Sequence, residues 1–362
     1  MKLYTSYQCR PRQSRKQNLN SPNSEFSSTR VSAIVLSYNH GPYIRDCLVS
    51  LIKQRTADTE IIVLDDYSMD NSADIVKELA SQHKKIHLLL NESNTGNIAL
   101  NTQKLVDASS SPYILFMAGD DQLGSTYDLR SAIDLMERDD NIGIVIPRLR
   151  FLNENIESKV AEIYDSALLS ALRSSEPEEI LRQHLFKRVS RIFLQGVVLR
   201  RSVIEEMGGF ASGTISDDYA FFMRLFEHLQ NSGQKFFFDE KSEWLYRIHA
   251  SNIHRNAVRQ FTSILEVVSR FVPQEHWHHF RWDSVVFTNY EDLEISIRSA
   301  KQSLGTSAAR KLVREVSRRA ISAAGRRGDQ LFLRRFIGDK NNIPHLRLRA
   351  TFKLVYCHLK PT

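Results

Sequence analysis

The chain has 362 residues, of which 42% are hydrophobic and 25% are charged, a composition typical of soluble globular proteins. No window contains the roughly 18 consecutive apolar residues that a membrane-spanning helix needs. The first residues lack the apolar stretch of a secretory signal, and the cysteines Cys9, Cys47 and Cys357 do not have metal-binding spacing. The sequence therefore predicts a cytoplasmic protein, and its length suggests two domains.

The net charge of +7 is distributed unevenly along the chain. Residues 1–30 carry +5, residues 31–300 carry −10 and residues 301–362 carry +12. An acidic body is not the positively charged reading surface of a nucleic-acid-binding protein, so we expect no nucleic-acid partner. A basic end suits an anionic membrane surface. A solvated basic tail is the alternative that remains open.

Short apolar runs and helical periodicity alternate over the first half of the chain. Residues 1–30 are polar and aperiodic, and they are predicted to be disordered. From Val31 onward the alternation indicates βαβ units and a parallel sheet. The predicted strands are 31–37, 60–65, 86–90, 113–118 and 142–147, and predicted helices follow the first three of them.

The pattern changes in the second half of the chain. Residues 155–190 have mixed polarity and helical character, and we expect them to form a lid or an acceptor-side insertion. Beyond residue 255 the pattern is helical and basic. Between these segments the sequence predicts a strand, a helix and a Gly-Gly turn over 193–210, a helix over 216–229, and strands over 235–240 and 242–249.

Dense polar clusters follow four of the predicted strands. They read SYNHGPY (37–43), DDYSMD (65–70), NESNTGN (91–97) and AGDDQL (118–123). Each cluster alone could be a turn, because Asn, Asp and Gly are common turn residues. The carboxyl ends of parallel strands, however, are where such sheets bind ligands. Four clusters at one edge therefore predict a binding site.

The clusters belong to an ordered series of short motifs between Val31 and Arg255. The series comprises Ser37-Tyr38-Asn39, Asp65-Asp66-Tyr67-Ser68-Met69-Asp70, Asn94-Thr95-Gly96, Gly119-Asp120-Asp121, Gly208-Gly209-Phe210, Asp217-Asp218-Tyr219 with Arg224, and Tyr246-Arg247-Ile248-His249. In this order the motifs resemble those of the inverting family 2 glycosyltransferases. The resemblance implies an α/β architecture, the GT-A fold, with a Rossmann-like mixed sheet flanked by helices over residues 31–258. Residues 259–362 would then be a helical, basic extension.

The resemblance also implies a reaction and a role for each residue. A sugar would move from a nucleotide-diphosphate sugar, with a UDP-sugar favoured, to a glycan or lipid-linked glycan in cell-surface polysaccharide synthesis. Asp218 would be the general base, Asp121 and His249 would bind Mn²⁺ or Mg²⁺, and Asp217 and Gly209 would lie on the acceptor side. Asp66 could accept the N3–H of uracil, and the donor-binding residues would be Ser37, Tyr38, Asn39, Asp66, Asn94, Gly96 and Asp120.

Two departures from the family pattern leave alternatives open. Ala118 stands where many relatives have the first Asp of a D-x-D motif, and Asp217 stands where Glu is usual. The Ala118 substitution would suit a catalytically degenerate nucleotide-sugar-binding subunit. A nucleotidyltransferase would need a Gly-rich basic loop after the first strand, which is absent from residues 37–43. Asp217 and Asp218 could instead be helix N-caps, and His249 could be structural.

The basic C-terminal segment could contact a membrane. Its arginines alternate with Leu312, Val316, Ile321, Leu331, Phe332 and Phe336. This mixture is typical of amphipathic helices that lie on a membrane surface, here the inner face of the plasma membrane. The alternative is a helical unit that packs on the acidic body.

Overall fold

The computed structural model describes residues 30–54, 58–153, 166–181, 192–210, 217–249, 252, 256–271 and 285–359. All of the predicted disordered tail except Arg30, and parts of the predicted insertion at 155–190, lie outside these residues. The described part of that insertion is helical, as predicted.

The first half of the chain alternates strands and helices, as the periodicity predicts. Its elements are β1 (Val31–Ser37), α1 (Ile44–Ile52), β2 (Thr59–Asp65), α2 (Ser72–Gln82), β3 (Ile86–Leu90), α3 (Ile98–Ala108), β4 (Tyr113–Ala118), β5 (Gln122–Leu123), α4 (Leu129–Arg138) and β6 (Ile142–Asn153).

The second half is mainly helical. Its elements are α5 (Ser166–Ser174), α6 (Pro177–Ile180), β7 (Val198–Arg200), α7 (Arg201–Glu206), α8 (Asp217–Ser232), β8 (Lys235–Ile248), α9 (Ala257–Phe271), α10 (Tyr290–Leu304), α11 (Thr306–Arg327), α12 (Gln330–Gly338) and α13 (Pro344–Leu359).

The strands form one mixed sheet in the order β3-β2-β1-β4-β7-β6-β8-β5. The strands β1 to β4 are mutually parallel, and Ser37 at the end of β1 is in register with Asp65 at the end of β2. The polar clusters that follow β1, β2, β3 and β4 consequently meet at one edge of the sheet, as the sequence predicts.

The parallel arrangement indicated by the βαβ alternation holds for β1 to β4, and beyond β4 the sheet is mixed. The strand β7 runs antiparallel to both of its neighbours, β4 and β6, and β5 runs antiparallel to β8. The apolar pattern of the three-residue strand β7 contains no information about direction, because alternation looks the same either way. The mixed sheet implied by the family resemblance is the arrangement observed.

The two strands predicted over 235–240 and 242–249 are a single strand, β8. It pairs in parallel with β6, and the register shifts between Pro147 and Arg148 of β6. Such an irregularity absorbs extra residues without ending the strand. The polar residues near position 240 therefore mark a shift in pairing and not a turn.

Alternate residues of the central strands enter two different hydrophobic cores. Ala33 and Val35 of β1 pack on one face of the sheet, together with Cys47 of α1, which the sequence predicts to be a core residue. Ile34 packs on the other face with Phe116. This alternation follows from the two-residue period of a strand. The rigid sheet fixes the loops at its carboxyl edge.

The helices α9 to α13 share a third core with part of α8. Tyr219, Ala220 and Met223 of α8 belong to this core. The prediction that the apolar residues of α11 and α12 enter a membrane is wrong for all but Leu331, which is 64% exposed. Amphipathic stripes bury their apolar faces against neighbouring helices just as readily as against lipid. The buried residues are Leu312, Val316, Ile321, Phe332 and Phe336.

None of the described helices is both long enough and apolar enough to cross a bilayer.

Candidate active site

Backbone-to-side-chain hydrogen bonds join the loops that follow β1 and β2. Asn39 has a positive φ of 54°, and its backbone N–H donates to Oγ of Ser68 over 2.8 Å. The Oδ1 atom of Asn39 accepts from the N–H of Met69 over 2.9 Å. The N–H of Gly41 donates to Asp70 over 2.8 Å. Both loops are therefore held as one unit beside the sheet edge.

The residues at the very ends of β1 and β2 are mainly structural. Asp65 is 1% exposed, and its carboxylate accepts hydrogen bonds from the N–H and Oγ of Ser68 over 2.8 and 2.6 Å. Ser37 is fully buried, and its Oγ has no hydrogen-bond partner among the described residues. Tyr38, by contrast, is 42% exposed. Of the predicted Ser37-Tyr38-Asn39 motif, Tyr38 and Asn39 are thus exposed, and Tyr38 offers an aromatic ring whereas Asn39 is engaged with the loop after β2.

Asp66 organises the loop that follows β3. Its carboxylate accepts hydrogen bonds from the N–H of Thr95 at 3.0 Å, the N–H of Gly96 at 3.1 Å and the side chain of Asn91 at 2.7 Å. Burial opposes ionisation of Asp66, but these hydrogen bonds lower its pKa below the usual value. The structure thus joins the predicted residues Asp66 and Gly96, and it leaves Asn94 exposed on the same loop.

A histidine pair flanks the carboxylate of Asp120. The Nε2 atom of His249, at the end of β8, lies 3.0 Å from Oδ2 of Asp120. The Nε2 atom of His40 lies 3.8 Å from the same oxygen. Burial lowers the pKa of His40, which favours its neutral form. The ring of His249 also packs 4.7 Å from the ring of Tyr43.

Asp121 faces the protein interior. It is 1% exposed, and its Oδ1 accepts the backbone N–H of Arg247 over 2.9 Å. Burial raises the pKa of Asp121 well above its usual value, and the charges of Asp120 and Asp218 raise it further. The structure therefore places His249 beside Asp120, whereas the sequence grouped His249 with Asp121.

Arg247 fixes the turn that contains the two aspartates. Its Nε donates to the carbonyl oxygen of Asp120 over 3.0 Å, and its Nη2 donates to Asp46 of α1 over 3.0 Å. Its guanidinium carbon lies 5.0 Å from the ring centroid of Tyr43. The sequence places Arg247 in the motif of residues 246–249 but does not indicate a role for it. No local sequence signal could have found this role, because the contact joins residues that are 127 positions apart, although guanidinium offers several donors in a fixed plane for such a support.

The remaining predicted residues lie near the start of α8 and in the Gly-Gly turn. Asp217 opens α8, and its side chain lies outside the described part of the structure. Asp218 is close enough to Asp121 for its charge to contribute to the raised pKa. Gly209 has a φ of 75°, and a Cβ there would collide with Gln103. Its carbonyl accepts from Arg224 over 2.9 Å, and its positive φ favours glycine at this point of the turn.

The pair of Asp120 and His249 can be tested for metal binding. Among the described residues, no group of three or more His, Cys, Asp or Glu side chains has the geometry to hold a metal ion. Two adjacent ligands of an octahedral cation, each at about 2.1 Å, lie about 3 Å apart. Oδ2 of Asp120 and Nε2 of His249 are within hydrogen-bonding distance of each other at 3.0 Å, and this separation is also compatible with two adjacent ligands of one cation. The pair fits a cation that takes its other ligands from substrate and water.

Comparisons with known proteins agree with the motif order. Residues 32–208 match the family model described as glycosyl transferase family 2. The chain is 31% identical over 178 residues to a Bacillus subtilis protein named "Putative glycosyltransferase EpsH". This alignment covers 48% of each of the two chains. It is 24% identical over 207 residues to the poly(ribitol-phosphate) beta-glucosyltransferase of Bacillus spizizenii, covering 53% of this chain and 32% of the relative. The chain therefore spans about half, or less, of the length of these relatives.

A solved structure shares the fold. The mannosyltransferase PcManGT of Pyrobaculum calidifontis, in complex with GDP-Man and Mn²⁺, superposes with a TM-score of 0.50 at 15% sequence identity. The match covers 94% of this chain and 90% of that one. It supports the GT-A architecture, including the presence of helices after the sheet.

Proposed function

We propose that this chain, a member of glycosyl transferase family 2, transfers a sugar from a nucleoside-diphosphate sugar to an acceptor hydroxyl with inversion at the anomeric carbon. The observation that carries the proposal is the meeting of Asp120 and His249 at the carboxyl edge of the sheet. A carboxylate and an imidazole at this edge suit a divalent cation and a diphosphate.

Asp120 and His249 would hold Mn²⁺ or Mg²⁺ in this proposal. When bound, the cation neutralises the charge that develops on the departing diphosphate. Asp121, the metal ligand expected from the sequence, is assigned a supporting role, because its carboxylate is buried and accepts the N–H of Arg247. Arg247 would then hold the main chain of Asp120 in place for cation binding.

The nucleoside would bind against the loops after β1, β2 and β3. Tyr38 offers an exposed aromatic ring, and Asn94 offers an exposed amide. Asp66 orders the 91–97 loop through its three partners, and we favour it as the acceptor for the N3–H of uracil. A UDP-sugar is the donor that this choice favours. Ser37, Asn39 and Gly96 would support the loop backbones and make no side-chain contact with the donor.

Asp218 would be the general base. It would remove the proton from the acceptor hydroxyl while the oxygen attacks the anomeric carbon on the side opposite the diphosphate. A base in this position contributes roughly 10²–10⁴-fold to the rate. The electrostatic effect of Asp218 on Asp121 supports its place near the reacting groups. Asp217 and Gly209 would lie on the acceptor side.

The acceptor class is proposed from the relatives. One of them is named for glucosyl transfer to poly(ribitol phosphate), a polymer rich in hydroxyl groups. We infer a glycan or lipid-linked glycan acceptor in cell-surface polymer synthesis, with the enzyme acting on the cytoplasmic side.

A panel of nucleotide sugars tests the proposal. UDP-, GDP- and dTDP-sugars are added to the full chain with and without Mn²⁺, and thermal stability and nucleoside-diphosphate release are measured. We expect one nucleotide class to stabilise the chain and to release its diphosphate when Mn²⁺ is present. Stabilisation without release from any donor or acceptor mixture would favour a degenerate binding subunit. Pyrophosphate release from a nucleoside triphosphate and a sugar phosphate would favour a nucleotidyltransferase.

A further inference from the structure

A groove of about 550 Å³ separates α11 from α13 in the basic C-terminal part of the chain. One wall is formed by Lys311, Arg314, Glu315 and Arg318 of α11, which are spaced three and four residues apart and so share a helix face. The carboxylate of Glu315 is already used, since Arg318 and Arg319 donate to it over 2.6 and 2.7 Å. Within the described residues, Lys311 and Arg314 have no acidic partner. This wall therefore presents unneutralised positive charge.

The opposite wall combines one more cation with exposed apolar side chains. Leu348 and Phe352 of α13 line the groove and are 58% and 69% exposed. Arg349 lies between them, and its contact with Oγ of Ser322 is long, at 3.5 Å. The floor includes the buried Leu346. Cations and apolar side chains thus face the same opening.

We propose that this groove docks the chain on a membrane containing anionic phospholipids. Arg314 and Arg349 donate charge-assisted hydrogen bonds to the headgroup phosphates. Phe352 and Leu348 enter the boundary between headgroups and acyl chains. A soluble polyanion would satisfy the arginines but would leave both apolar side chains in water, so the combination favours a lipid.

The proposed surface differs from the one that the sequence predicts. The apolar residues of α11 and α12 that the sequence predicts to contact a membrane are buried in the protein, apart from Leu331. The α11–α13 groove uses none of the residues proposed for sugar transfer, and loss of docking is therefore distinguishable from loss of the reaction.

Flotation of the full chain with vesicles tests the proposal. The vesicles contain phosphatidylcholine alone or phosphatidylcholine mixed with phosphatidylglycerol, and binding is measured at low and high salt. We expect binding to the mixed vesicles alone, weakened by salt. Arg314→Glu combined with Arg349→Glu should reduce the apparent affinity at least about tenfold, because each basic residue near an anionic surface contributes substantially. Phe352→Ser should also weaken binding.

Matched variants control for charge and hydrophobicity. Arg326→Glu combined with Arg334→Glu makes the same charge change at exposed positions outside the groove, and Leu331→Ser removes an exposed apolar side chain from α12. Both should bind like the original chain, and all variants should keep its melting temperature and its affinity for UDP with Mn²⁺. Equal losses in the groove variants and their controls would overturn the proposal. Equal binding to neutral vesicles, or full release from mixed vesicles by inorganic phosphate, would overturn it as well.

Discussion

The Nε2 atom of His249 lies 3.0 Å from Oδ2 of Asp120, although 129 residues separate them in the chain. The contact joins the end of β8 to the turn after β4. Arg247 lies two residues before His249 and donates a hydrogen bond to the carbonyl of Asp120 in the same turn. One short segment of β8 therefore supplies a partner for the carboxylate and a support for its backbone.

The turn that carries Asp120 leaves no space for a side chain at Gly119. A Cβ there would lie 2.7 Å from Cδ1 of Ile44 and 2.8 Å from Nδ1 of His40. We expect Gly119→Ala to lower the free energy of unfolding by about 1–3 kcal/mol, because Ile44 is packed in the core. Gly338→Ala is the control, since a Cβ at Gly338 meets nothing within 4 Å. Urea denaturation measures both, and equal stabilities would contradict the packing argument.

Arg247→Ala should loosen the Asp120 turn. Loss of the hydrogen bonds to the carbonyl of Asp120 and to Asp46 should lower the free energy of unfolding by about 1–3 kcal/mol. Affinity for UDP in the presence of Mn²⁺ should fall as well. Arg150→Ala removes an ion pair of 3.2 Å between Arg150 of β6 and Glu243 of β8 and should lower the free energy of unfolding by less than about 1 kcal/mol. An Arg247 variant that matches the Arg150 variant in both measurements would rule out the supporting role.

Local patterns in the sequence predict the part of the fold and site that local forces determine. The spacing of apolar residues predicts β1 to β4 and the helices between them. The polar clusters that follow these strands predict the edge of the sheet where a ligand binds. The contact of Asp120 with His249 and the support from Arg247 depend on how β8 meets β4, which no local pattern encodes. For the same reason, the apolar stripes of α11 and α12 could not reveal whether a membrane or neighbouring helices would cover them.

The hydrogen bonds to Asp66 predict a dependence of stability on pH. The pKa of Asp66 in the folded chain lies below its usual value of 3.8, so the unfolded chain binds more protons in this range. The stabilisation is present above about pH 4 and is lost as the pH falls through the folded pKa. Asp66→Asn should therefore reduce the fall in the free energy of unfolding that accompanies a drop in pH below about 4. Asp74→Asn, on the exposed surface of α2, makes the same substitution away from the Asp66 hydrogen bonds, and an equal effect of both variants would be evidence against the Asp66 cluster.

Asp218→Asn tests the general base. The variant should keep its affinity for the donor, while kcat should fall by roughly 10²-fold or more, because the amide cannot accept the acceptor proton. Glu227→Gln removes an exposed carboxylate from the same helix and should retain the original kcat. Normal turnover by the Asp218 variant would assign the base to another residue.

Calorimetric titration of UDP, with and without Mn²⁺, tests the central claim most directly. The full chain is compared with Asp120→Ala, with His249→Ala and with the exposed control Asp74→Ala. If Asp120 and His249 hold the cation that binds the diphosphate, the original chain and the control should bind UDP tightly when Mn²⁺ is present. Both site variants, and the original chain with a chelator, should bind at least about tenfold more weakly, which corresponds to about 1.4 kcal/mol. Unchanged Mn²⁺-dependent binding of UDP by the Asp120 and His249 variants would contradict the account.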